Sequence, residues 1–122
     1  MRTVLIVDAA NVVGSVPDGW WRDRRGAAER LRDRLAARAA TGEGDEEIVL
    51  VVEGAARGVG SVPGVRVEAA PGSGDDLIVE LAAARAGAGR AVVVVTADRA
   101  LRERVRAYGA RCVGPRAVRP VD

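Results

Sequence analysis

The chain has 122 residues, 19 basic and 17 acidic side chains, a net charge of +2, one cysteine and no histidine, and every basic residue is arginine. Without imidazole or lysine there is no Ser-His-Asp or Cys-His nucleophile system, no phosphate-loop lysine and no Schiff base, which leaves carboxylates, arginines, hydroxyls or a bound metal. The lone Cys112 excludes an internal disulfide framework and reads as a small buried hydrophobe of a reducing compartment.

In chain order, Val4-Leu5-Ile6-Val7 predicts a strand over 3–7 that runs directly into Asp8. No small-residue cleavage site follows, and no apolar run approaches the roughly 20 residues that span a bilayer. A cytoplasmic protein with no membrane contact is expected. Ala28, Leu31, Leu35 and Ala39 share one face of a helix over 22–40, whose outer face is lined with arginine. Gly42 suits its C-terminal cap, and Glu43, Asp45, Glu46 and Glu47 gather in the loop beyond.

Further strands are expected over 48–52, 65–68, 91–95 and 111–113, and helices over 75–86 and 99–108, the last with Leu101, Val105 and Tyr108 on one face and Gly109 as its cap. The glycine-rich stretch 54–64 reads as a mobile loop and residues 115–122 as a C-terminal tail. Apolar strands alternating with helices predict an α/β fold: three layers around a parallel sheet of about five strands, in one domain over 1–122. A chain of this length buries roughly two-thirds of its unfolded surface.

Carboxylates close these elements. Asp8 ends the first strand, Glu53 the second, Asp98 follows the fourth by three residues, and Asp75-Asp76 open the middle helix. Each has an ordinary reading: Ser73 and Asp76 as a capping box, Asp75 and Asp76 as first-turn acids, Asp98 as an N-cap. In an open parallel sheet, however, the carboxyl ends of strands line one crevice. Two carboxylates about 5 Å apart repel by roughly 3 kcal/mol at an effective dielectric near 20. Such a cluster calls for raised pKa values or a hard divalent cation, Mg²⁺ or Mn²⁺, since only oxygen ligands are at hand.

Three segments, VLIVDAANVVGSVPDGWW, GSGDDLIVELA and VVVVTADRALRERVRAYGARCVG, resemble in that order the NYN-domain ribonucleases of the PIN-like superfamily. The resemblance implies a Rossmann-like sheet of order 3-2-1-4-5, an acidic metal pocket and hydrolysis of RNA phosphodiesters. It assigns Asp8, Asp76 and Asp98 as metal-site and catalytic carboxylates with Asp75 supporting. Asn11, the single asparagine, takes the family's pocket position, against an Asx turn as its ordinary reading. Thr96 would bond a pocket carboxylate or a phosphate oxygen. Departures are Glu53 where many relatives carry Phe-Asp, leaving it as a further metal ligand, and a short 54–64 segment.

Of Trp20 and Trp21, one is expected to pack under the first helix and the other to stay exposed. Arg22, Arg25 and Arg99 are candidate phosphate contacts. The reading is a metal-dependent endoribonuclease acting on flexible or single-stranded RNA, with RNA as partner and a homodimer as an allowed assembly. The alternatives are a non-catalytic RNA-binding domain and a nucleotide pyrophosphohydrolase using the same pocket.

Overall fold

The computed structural model describes residues 2–42 and 45–119. Glu43 of the expected acidic loop and residues 120–122 of the expected tail lie outside them. Strands β1 (Thr3–Asp8), β2 (Glu46–Val52), β3 (Val65–Ala69), β4 (Val92–Val95) and β5 (Arg111–Val113) form one parallel sheet in the order β3-β2-β1-β4-β5. Four helices flank it: α1 (Ala9–Val13), α2 (Arg24–Thr41), α3 (Gly74–Gly87) and α4 (Arg99–Arg106). This is the expected α/β fold and strand order. The addition is α1, five residues being too few for a helical period to show.

Alternation along the strands divides the core in two. Leu5 and Val7 of β1, with Ile48, Leu50 and Val52 of β2, face α1 and the stripe Ala27, Ala28, Leu31 and Leu35 of α2. Val4 and Ile6, with Val49, Val51, Val92 and Val94, face Ile78 and Ala82 of α3 and Leu101 and Val105 of α4. Fully burying one such Val, Leu or Ile side chain stabilises by about 1.5–3 kcal/mol. The continuous apolar runs follow from this arrangement, because both faces of the central strands are covered.

Gly42 ends α2 in the left-handed conformation at φ 69°, as its position suggested, and Gly109 adopts φ 88° just beyond α4. Tyr108 departs from its expected face. The last helical residue is Arg106, and Tyr108 is 52% exposed.

Two expected floppy segments are anchored. In 54–64, Ala56 and Val59 are buried, and the carbonyls of Gly58 and Gly60 accept hydrogen bonds from Arg25 and Arg32 of α2. Beyond β5, residues 115–117 form a 3-10 turn, Val118 is buried, and Arg119 donates to the carbonyls of Val12 and Val13 and pairs with Asp18. Through Arg119 the expected tail braces the end of α1. Among the described residues no helix is long and apolar enough to cross a membrane.

Candidate active site

The strand order reverses between β1 and β4, which pair in parallel with Val7 opposite Val95. The crevice beyond their carboxyl ends is where ligands bind in open α/β sheets. Asp8 stands there, only 6% exposed. Its Oδ2 accepts from the Thr96 hydroxyl at 2.9 Å and its Oδ1 from the Asn11 backbone N–H at 3.4 Å, which starts α1. Thr96, fully buried, accepts in turn from the Asp98 N–H at 3.1 Å. Asp98 caps α4 through the Leu101 N–H at 3.1 Å. The Asn11 side chain closes the ring, its Oδ1 accepting from the Ala97 N–H at 2.8 Å. Asn11 thus ties α1 to the loop after β4 instead of closing an Asx turn.

Glu53, after β2, turns toward the start of α3 and accepts the Gly74 N–H at 2.7 Å. A Cβ at residue 74 would lie 3.1 Å from this carboxylate, which would have to shift by a few tenths of an ångström. Glu53 therefore satisfies the first N–H of α3, while the Ser73 side chain makes no capping bond.

Asp75 and Asp76, which the resemblance assigned to the site, stand in different surroundings. Asp76 forms an ion pair with Arg104 at 3.0 Å, its side chain 73% exposed. Asp75 is the residue that feels the other acids. Burial, then the charges of Asp98 and Glu53 and, less, of Asp76, raise its pKa against the pull of Arg104. Successive helical residues diverge by about 100°, so the two side chains leave the helix in different directions.

Asp8 is pushed up to about 6, first by burial, with the charges of Asp75 and Glu53 adding to it and the Thr96 and Asn11 hydrogen bonds opposing. The opposite edge of the sheet contrasts with this. There Glu46 pairs with Arg38, and Glu47 with Arg85 and Arg90, which together hold Glu47 below its ordinary value. Among the described residues, none of the arginines forms an ion pair with Asp8, Glu53, Asp75 or Asp98.

That excess of negative charge, offset only in part by Arg104 at Asp75, suits a hard cation, whereas the side-chain positions exclude a dense cage. Among the described residues no three carboxylates converge on one point that could hold a metal. The donor set fits Mg²⁺ or Mn²⁺ in the manner of ions that keep several waters and bind through one or two carboxylates.

Other expected contacts are dispersed. Trp20 packs against the core while Trp21 is 50% exposed, as anticipated. Arg22 lies 5.9 Å from the Trp21 ring centre and Arg25 is engaged with Gly58, whereas Arg99 is exposed in the first turn of α4 beside Asp98. Sequence reasoning missed Arg102, whose Nε donates to the Thr96 carbonyl at 2.7 Å, and Arg104. It also missed Arg24, poised 5.5 Å over the Trp20 ring. The adjacency of Trp20 to an arginine run was the one available signal.

Fold and site together define a Rossmann-like α/β protein with an acidic crevice at its topological switch point. No protein-family model and no curated protein matches the sequence. The fold is similar to crystal structures of Rae1 (YacP) from Bacillus subtilis. A point mutant of that protein superposes with a TM-score of 0.76 at 22% identity, covering 97% of this chain and 72% of the other. A second Rae1 structure gives 0.74 at 21% identity, covering 93% and 69%. At this identity the likeness is one of fold.

Proposed function

We propose that the chain is a metal-dependent ribonuclease acting on flexible or single-stranded RNA. The observation that carries this reading is the unpaired acidic rim: four carboxylates share the carboxyl edge of an arginine-rich protein, and Asp8, the most buried, is pushed up to about 6. Support also comes from the NYN-like segments and from the fold shared with Rae1.

One or two of Asp8, Asp75 and Asp98 would hold Mg²⁺ or Mn²⁺, with waters completing the shell. When bound, the ion would lower the pKa of a water and polarise the phosphate. The protein's own part is positioning. Thr96 and the Asn11 N–H fix the Asp8 carboxylate, and the Leu101 N–H fixes one oxygen of Asp98. Asn11, anchored through its oxygen to Ala97, keeps its amide N–H groups for a phosphate oxygen. Arg99 adds a cation beside the rim for the RNA backbone.

The test is cleavage of end-labelled single-stranded RNA with Mn²⁺ or with EDTA, by the parent and by Asp98→Asn. Asparagine keeps an acceptor for the Leu101 N–H, so the helix start survives while the charge is lost. Cleavage that needs the metal and falls at least about 100-fold in the variant supports the reading. Binding without cleavage would make this an RNA-binding domain, and phosphate or pyrophosphate release from nucleotides alone would make it a pyrophosphohydrolase.

A further inference from the structure

Beside the acidic rim lies a cleft of about 350 Å³, walled by Ala9, Val13, Trp20, Arg24, Ala28 and Glu53. Its volume falls in the range of small-ligand sites, about 300–1,000 Å³. The space exists because Ala9 and Ala28 are small and Gly72 stands at its border, where an added Cβ would meet nothing within 4 Å. Ala9 follows Asp8 directly, and Glu53 borders the cleft while its charge is felt by Asp8 and Asp75. The cleft therefore borders the rim.

We infer that this cleft holds one unpaired base of the RNA strand and that Glu53 selects guanine. The inference rests on the ribonuclease reading. Unstacked RNA bases are held on aromatic rings and arginine planes and read on their Watson–Crick edges. Trp20 and the Arg24 guanidinium supply such a surface, with apolar walls around it. Among the described residues the only acid lining the cleft is Glu53, held by the Gly74 N–H through Oε2. A carboxylate only accepts hydrogen bonds. Guanine alone among the four bases offers it two adjacent donors, N1–H and the N2 amino group. Adenine presents its amino group beside a repelling acceptor, as does cytosine, and uracil presents one N–H between two carbonyls.

Fluorescence quenching of Trp20 in a Trp21→Phe background, measured in EDTA, reads occupancy of the cleft without turnover. GMP should quench at a concentration about tenfold or more below AMP, CMP and UMP, the discrimination expected of a two-donor contact. A single-stranded oligonucleotide containing one guanosine should bind more tightly than GMP, because its phosphates reach the arginines. Glu53→Gln retains an acceptor for Gly74 but should erase the guanine preference, and Gly72→Leu should close the cleft and remove quenching while leaving the melting curve cooperative. Equal quenching by all four nucleotides, no quenching, or equal affinity for GMP and the oligonucleotide overturns the inference. Metal-dependent cleavage without base preference would retain the nuclease and discard the guanine site, whereas guanine-selective binding with no cleavage would do the reverse.

Discussion

The Thr96 hydroxyl donates to Asp8 at 2.9 Å while accepting the N–H of Asp98 at 3.1 Å, so a single oxygen couples the ends of β1 and β4. Thr96→Val preserves shape and removes both bonds from a fully buried position. A hydrogen bond to a charged group contributes about 1.5–3 kcal/mol. Urea denaturation at neutral pH should show a loss of that order for Thr96→Val and a much smaller one for Thr96→Ser. Equal losses would mean that the methyl group, not the hydroxyl, matters.

Asp8 imposes a pH dependence of determinate sign. Its carboxyl rises from 3.8 to about 6 on folding, so the native state binds the proton more readily than the unfolded chain. Stability conferred by that proton is lost as pH rises from about 4 through 6. The resulting penalty, in place above pH 6, is up to about 3 kcal/mol. In metal-free buffer Asp8→Asn should therefore melt higher than the parent at pH 8, with the gap closing toward pH 4. Millimolar Mn²⁺ should raise the melting temperature of the parent much more than that of the variant. A gap that widens on acidification would show that burial does not act on Asp8 in this way.

Asp75 and Asp76 separate site from surface. Asp75→Asn should lower Mn²⁺-dependent RNA cleavage by about 100-fold or more, as expected for a residue that helps hold the ion. Asp76→Asn breaks only an exposed pair with Arg104, typically a contribution of about 0–1 kcal/mol, and should leave turnover within a few-fold. Initial rates for the two variants under identical conditions decide this, and the reverse ranking would return Asp76 to the crevice.

Arg119 supports α1 from the far end of the chain. Arg119→Ala should lower the melting temperature by about 5 °C. Hydrogen exchange should speed up at the N–H groups of Gly14 and Ser15, which bond to Ala10 and Val12 near the end of α1. Unchanged exchange there would show that residues 115–119 rest on α1 without holding it.

The strands and long helices were legible because their signal is local: β-branched runs, a spaced apolar stripe and a glycine at the helix end. Asp8 and Asp98 could be placed at one rim because strand ends converge in any parallel sheet of this order. The pairing of Asp76 was not legible. It depends on Arg104, 28 residues away, and on helix phase, neither of which a first-turn acid pair reveals. The anchoring of 54–64 was hidden for a similar reason, since a glycine-rich composition gives no hint that Arg25 and Arg32 will meet its carbonyls. The cleft escaped notice because an empty space is defined by small residues far apart in the chain.

Asp8, Glu53 and Asp98 each hold the first turn of a helix with one oxygen while facing the crevice, so the groups proposed for chemistry also secure the architecture. Evolution cannot freely discard them even where catalysis is no longer selected. Descendants that abandoned turnover should retain amide or hydroxyl side chains at these three positions, keeping the acceptor and shedding the charge. Asparagine, glutamine or serine there, instead of alanine, would be the mark of a silent copy that still folds.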